Sequence, residues 1–209
     1  MTTIVIFVAV LAAAYVVGSM PLGYWTVKRK TGIDLRKKGS GSTGATNVGR
    51  TMAEHYSDQR VGRRYFLAIF HADIAKGALP VLLAGLLPQH TLALQIVAAV
   101  GVVTGHCYSC FLQFKGGKAV ASGIGTLAAL CPWVGLSVYV LWWVITHATK
   151  YVSMASMASL IAAPLLMWLF GAPLEAIIYS VLLALFIVYR HHENISRLRN
   201  HKENRTDWL

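Results

Sequence analysis

Residues 4–27 read IVIFVAVLAAAYVVGSMPLGYWTV, a run of apolar and small side chains without a single formal charge. About 20 such residues in a helix reach across the hydrocarbon core of a bilayer, so this run alone points to an integral membrane protein. Lys28-Arg29-Lys30 ends it, a basic cluster of the kind that stays on the cytoplasmic face. Met1-Thr2-Thr3 supplies no positively charged leader, and Val17-Gly18-Ser19-Met20 is not a small-residue cleavage site, so the run is expected to remain as an anchor.

Working outward, further apolar runs fall at 65–87, 92–112, 119–130, 133–148, 152–170 and 174–189. The two runs flanking Cys131-Pro132 are short, and a tilted pair or a re-entrant hairpin there would leave five or six full crossings. Charge favours seven. Lysine and arginine crowd the connection from Lys28 to Arg64, recur at Lys115, Lys118 and Lys150, and fill the tail from Arg190; Pro88-Gln89-His90-Thr91, Cys131-Pro132 and Gly171-Ala172-Pro173 have none. The expected fold is an all-α integral membrane protein of about seven transmembrane helices, some short, forming a single domain over residues 1–209. Its N-terminus lies outside and its C-terminus in the cytoplasm.

Composition agrees. Of 209 residues, 56% are hydrophobic and only 13% charged, with a mean hydropathy of +0.56. A net charge of +11 in a soluble chain would suggest nucleic acid, but here the basic residues sit between apolar runs, where they set topology and face anionic headgroups. Nucleic-acid binding is therefore excluded. Cys107, Cys110 and Cys131 cannot all pair, and Cys107-x-x-Cys110 is half of a metal motif with no second half, so all three read as small buried side chains.

One polar stretch stands out, Lys38-Gly39-Ser40-Gly41-Ser42-Thr43-Gly44-Ala45-Thr46-Asn47-Val48-Gly49-Arg50. Its glycines let backbone N–H groups converge without Cβ clashes, its hydroxyls add donors, and Arg50 can close the site with a bidentate fork. Phosphate is the natural guest; a flexible Gly/Ser linker is the alternative. Gly39, Gly41 and Gly44 match the letter of a dinucleotide fingerprint, but Asp34-Leu35-Arg36-Lys37-Lys38 replaces the required strand, and no Lys-Ser/Thr follows Gly44 as a Walker A loop demands. Beyond it, Glu54 to Arg60 reads as a solvated excursion.

Four other polar features need a reason, because polar groups are costly in hydrocarbon. Asp73 and Lys76, three apart on one helix face, read as a structural ion pair, while His71 points elsewhere. Gly116, Gly117 and Lys118 form a second basic corner that could offer backbone donors and a point charge to an anion. Ser153 and Ser156 share a helix face after Lys150-Tyr151, as do His191 and Asn194 after the last apolar run. The topology gathers all these corners on one side.

In order along the chain, Gly18-Ser19-Met20-Pro21-Leu22-Gly23, the 39–50 stretch, Asp73-Ile74-Ala75-Lys76-Gly77, Gly105-His106, Phe114-Lys115-Gly116-Gly117-Lys118, Tyr151-Val152-Ser153-Met154-Ala155-Ser156 and Tyr189-Arg190-His191-His192-Glu193-Asn194-Ile195 resemble the motifs of the bacterial acyl-phosphate:glycerol-3-phosphate acyltransferases of the PlsY type. The resemblance implies a seven-helix enzyme of the bacterial inner membrane whose active site faces the cytoplasm. It implies acyl transfer from acyl phosphate to the 1-hydroxyl of glycerol 3-phosphate, without cofactor or metal, giving lysophosphatidic acid and phosphate. It further implies that Ser40, Arg50 and Lys118 hold phosphate while Ser156, His191 and Asn194 surround the acyl phosphate. Lys118, Ser156, His191 and Asn194 are thus the candidate catalytic residues; Gly41, Asn47, Gly116, Gly117 and Ser153 join Ser40, Arg50 and Lys118 as candidate substrate contacts. Ser42, Ser109 and Ala119 depart from the family pattern, which has Asn, Pro and Gly there.

Two rivals remain weaker. A transporter would be expected to show pseudo-symmetric halves with broken helices, and a lipid kinase an acidic metal cluster near the glycine loop; Asp34, Glu54 and Asp58 are too scattered for one. No G-x-S-x-G elbow or serine triad marks a covalent acyl-enzyme route.

Overall fold

The computed structural model describes residues 2–209, and among these every regular element is helical. The helices are α1 (Thr2–Ser19), α2 (Leu22–Thr31), α3 (Ala45–Tyr56), α4 (Gln59–Gly85), α5 (Leu92–Cys107), α6 (Val120–Leu130), α7 (Pro132–Thr149), α8 (Val152–Leu169), α9 (Leu174–Arg190) and α10 (His192–Arg199). Each later apolar run lies mainly on one helix, whereas residues 4–27 break at Met20-Pro21 into α1 and α2. Four segments are long and apolar enough to cross a membrane: Thr3–Thr31, Gln59–Gly85, Leu92–Leu112 and Val152–Leu169. A fifth arises if α9 and α10, bent by 58°, count as one. At 11 residues α6 is only ~16 Å long, about half the hydrocarbon thickness, so it cannot cross unaided.

Small residues let the helices touch. A Cβ at Gly18 or Gly105 of α1 and α5 would strike the backbone of Val102 or Tyr15 on the facing helix, and one at Gly77 or Gly125 would do the same between α4 and α6. Such close approach replaces the hydrophobic drive that lipid does not supply. Leu82, Val140, Leu165 and Leu182 are at least half exposed on the outer faces, as lipid-facing side chains are. Inside, Phe66, Phe70 and Trp142 stack, with the Phe70 and Trp142 centroids 4.7 Å apart.

The polar stretch from Lys28 to Arg64 is more ordered than its composition suggests. Residues 45–56 form α3, which buries Val48, Met52 and Ala53 against the bundle, so the glycine loop ends at a helix N-terminus. Residues 54–60 are exposed, and Ser57 turns the chain at φ 52° into α4, which begins at Gln59, six residues before its apolar run. Of the cysteines only Cys107 is buried; Cys110 is exposed because the chain leaves α5 for a 3-10 turn over Cys110–Leu112. That corrects the expectation of three buried thiols.

Asp73 and Lys76 do pair, at 2.9 Å and with both side chains buried. Lys76 also donates to the Met20 carbonyl at 3.0 Å and lies 3.1 Å from His106 Nδ1. The ion pair thereby ties α4 to the α1–α2 break and to the end of α5. His71 is exposed, its Nε2 3.0 Å from the Tyr139 hydroxyl.

Candidate active site

A cavity of about 120 Å³ opens where the helices converge. Ser40, Asn47, Arg50, Lys118, Ser153, Ser156, His191 and Asn194 line it together, although they come from α3, α8, α10 and the connections before α3, α6 and α10. Gly41, Gly116 and Gly117 do not. Gly41 turns the loop at φ 68°, and Gly117 directs its N–H to the His106 carbonyl at 3.0 Å, so it has none to offer a ligand. A Cβ at Gly117 would strike the His106 ring: close packing on α5, and not an anion nest, explains this glycine.

Asn47 organises the loop. Its Nδ2 donates to the carbonyls of Lys38 at 2.9 Å and Ser42 at 2.8 Å, and its Oδ1 accepts the Ser40 N–H at 3.3 Å. The amide is thus engaged with the backbone, and Asn47 shapes the site without a free group for a substrate. Gly44 is the N-cap of α3 and gives it no side-chain hydrogen bond, so the helix start faces the cavity with Gly44, Ala45 and Thr46 on the wall. A helix N-terminus of this kind favours an anion. Arg50, one turn further, has no carboxylate within ion-pair distance among the described residues. Burial lowers its pKa, with Glu54 and Glu203 acting the other way.

Across the cavity Lys118 Nζ donates to Asn194 Oδ1. Burial first, then the positive charge of Arg197, pushes the Lys118 ammonium down to about 8, against the pull of Glu203 and Glu193. At the bend after α9, burial and then the charge of Lys118 push His191 down to about 4, and its Nδ1 lies 2.7 Å from the Ile187 carbonyl. A neutral imidazole held this way donates through Nδ1 and leaves Nε2 as an acceptor.

Ser156 lines the cavity, but its proton goes to the Val152 carbonyl at 2.7 Å and its oxygen accepts Trp142 Nε1 at 3.1 Å. Its one donor is committed, as is common for serine in membrane helices, so it is neither a free donor nor an activated nucleophile. The polar residues missed in the sequence include Arg197, Glu203, Asn204 and Thr206, which line the cavity from α10 and the tail, and Asp73 and His106, which reach its wall from α4 and α5. Glu203 accepts from Ser153 Oγ at 2.9 Å, Asn194 Nδ2 at 2.7 Å and Arg197 Nε at 2.7 Å. Nothing marked it: a lone acid in a charged tail is usually solvated.

The family model for glycerol-3-phosphate acyltransferase matches residues 8–201. The chain belongs to this family. A glycerol-3-phosphate acyltransferase of Synechococcus sp. (strain JA-3-3Ab) is 42% identical over 192 residues, covering 91% of this chain and 89% of the relative. Another, from Carboxydothermus hydrogenoformans, is 41% identical over 192 residues and 92% of each chain. The acyltransferase fold is shared with the crystal structure of PlsY (YgiH), an integral membrane glycerol 3-phosphate acyltransferase, in its glycerol 3-phosphate form: TM-score 0.86, 34% identity, 96% of this chain and 95% of that one. The lysophosphatidic acid form of PlsY superposes with a TM-score of 0.85 at 33% identity, covering 97% and 96%. This chain is accordingly an integral membrane acyltransferase of the PlsY type.

Proposed function

We propose that this acyltransferase uses acyl phosphate as donor and transfers its chain directly to the 1-hydroxyl of glycerol 3-phosphate, releasing lysophosphatidic acid and inorganic phosphate. One observation carries the reading: Arg50, Lys118 and the open N-terminus of α3 surround a single cavity that also holds Asn194. Two phosphate groups repel, and this much positive potential offsets that repulsion while the reacting atoms are brought together. Ser40, Arg50 and the start of α3 take one phosphate, and Lys118 the other.

The glycerol hydroxyl attacks the acyl carbon, the bond from that carbon to the phosphate oxygen breaks, and phosphate departs. Asn194 keeps one N–H free beside its bond to Glu203 and donates it to the carbonyl oxygen as charge develops there. The hydroxyl proton has two possible acceptors. His191, at about 4, is a weaker base than the phosphate oxygen set free as the acyl bond breaks, so the departing phosphate takes the proton and His191 Nε2 orients the hydroxyl. Ser156, with its hydroxyl occupied, supports the wall, and no acyl-serine forms.

In the membrane the single domain crosses seven times, with the 11-residue α6 as the short member of its pair with α7, the N-terminus outside and the cavity facing the cytoplasm of a bacterial inner membrane. Basic connections on the cavity side support this orientation. The test is to incubate purified protein with labelled glycerol 3-phosphate and palmitoyl phosphate, and separately with palmitoyl thioesters. Lysophosphatidic acid forms in the first mixture alone; equal product from a thioester would overturn the assigned donor.

A further inference from the structure

The last residues of the chain belong to no helix, yet they close one side of the cavity. After α10 the backbone turns at His201, φ 54°, and Glu203, Asn204 and Thr206 run along the cavity wall. Thr206 fastens this strap: its N–H and its hydroxyl both donate to the Lys150 carbonyl at 2.9 Å. Trp208 fastens it again, edge-on to Phe66 with centroids 5.7 Å apart and so close to Gly49 that a Cβ there would strike the indole. Gly49 precedes Arg50. The tail therefore docks on the helix that carries Arg50, which among the described residues has no carboxylate partner.

Into this wall the strap inserts one carboxylate. The Glu203 side chain is only 7% exposed, and burying a charge is costly unless donors surround it. Three do: Asn194 Nδ2 and Ser153 Oγ meet Oε1, and Arg197 Nε meets Oε2. Burial raises the carboxyl's pKa, but the bonds from Arg197, Asn194 and Ser153 outweigh it and hold the group below its ordinary value, hence ionised. The consequence falls on Asn194. An acceptor on its nitrogen side and the Lys118 donor on its oxygen side leave its amide one orientation.

We propose that Glu203 is a positioning residue for acyl transfer: its carboxylate orients the Asn194 amide and holds Arg197 at the cavity edge, making the docked C-terminal tail a working wall of the site. The proposal rests on the active-site reading above, and Glu203 itself touches no reacting atom. The charges facing Lys118 are Arg197 and Glu193 on α10, Arg190 at the end of α9 and Glu203 on the tail; His191 and Asn194 beside it are neutral. With the charge at 203 removed, both arginines remain and Lys118 loses its proton at lower pH.

The test compares the full-length wild type with Glu203→Ala and the isosteric Glu203→Gln, all in detergent, by steady-state formation of lysophosphatidic acid from glycerol 3-phosphate and palmitoyl phosphate across about pH 6 to 9. Glu203→Ala should lose roughly 10- to 100-fold in kcat with a smaller change in KM, as removal of an orienting partner does. Glu203→Gln keeps an oxygen for Asn194 and Ser153 and should recover part of kcat, while in both variants the alkaline limb moves to lower pH. Melting temperature is measured alongside. Should Glu203→Ala not fold, Glu203→Gln decides by its limb. Wild-type kcat and an unmoved limb in a folded variant would overturn the positioning role and leave the active-site reading standing; a wild type that forms no product would overturn both.

Discussion

Lys118 and Asn194 lie 76 positions apart, and the Lys118 ammonium donates to the Asn194 amide oxygen across the cavity. The contact joins the connection before α6 to α10, which no local propensity could bring together. It leaves Lys118 with two further N–H donors for an anion and Asn194 with one free N–H for a carbonyl oxygen. A cation and a neutral donor side by side suit a reaction in which charge shifts from a carbonyl to a leaving phosphate.

Arg50 is the first residue to test. Its fork faces the cavity without a carboxylate partner among the described residues. Arg50→Ala should lose at least about 2 kcal/mol of transition-state stabilisation, roughly 30-fold in kcat/KM, because a phosphate in the site loses its charged hydrogen bonds. Arg50→Lys should recover only part of that, since a point charge cannot bind two oxygens in one plane. Wild-type kcat/KM in Arg50→Ala would remove Arg50 from the phosphate site.

Lys118 sets an expectation for pH. Its pKa in the free enzyme is lowered to about 8, so the ammonium is intact below that value and lost above it. Because only the charged form attracts phosphate, kcat/KM for glycerol 3-phosphate should fall as pH rises through about 8. Bound phosphate stabilises the ammonium, so the limb in kcat should lie higher than that in kcat/KM. Lys118→Arg keeps its charge at every accessible pH and should flatten the limb. A limb that persists in that variant would assign the titration to another group.

Much of this architecture was legible because membrane helices announce themselves: each apolar run is helical, the first broken into α1 and α2, and the pairing of Asp73 with Lys76 follows from their spacing. The cavity's main residues were legible as polar groups where polarity is costly. What the sequence hid has physical causes. Asn47 looks like a ligand contact, but its amide satisfies loop groups that only the folded loop brings near. Gly116 and Gly117 look like an anion nest, yet the backbone and ring of His106 lie against them. Polarity alone cannot separate α3 from a solvated loop, and Glu203 acquires its meaning from a tail held by Trp208.

The buried knot of Asp73, Lys76 and His106 should matter for stability before chemistry. Asp73→Ala leaves the Lys76 ammonium buried with only the Met20 carbonyl and the His106 ring, and should cost about 3–5 kcal/mol, read as a fall in unfolding temperature in detergent. Pairing Asp73→Asn with Lys76→Met removes both charges together and should cost much less. Equal losses from the single and the double change would show that the ion pair is not what holds these helices.

Ala119 offers a test in the opposite direction. It is the N-cap of α6, directly after Lys118, and its φ is 60°, the left-handed region that an alanine Cβ resists by roughly 1–2 kcal/mol. Glycine carries no such penalty there but loses more freedom on folding, a partial offset, so Ala119→Gly should stabilise the protein by about 1 kcal/mol with the cavity unchanged. Gly41, at φ 68°, provides the reverse: a Cβ there meets the Arg36 carbonyl at 3.1 Å, and Gly41→Ala should destabilise the loop and raise KM for glycerol 3-phosphate. If Ala119→Gly lowers the unfolding temperature, the turn that presents Lys118 is not held in the left-handed conformation, and the placement of its ammonium opposite Asn194 would need another support.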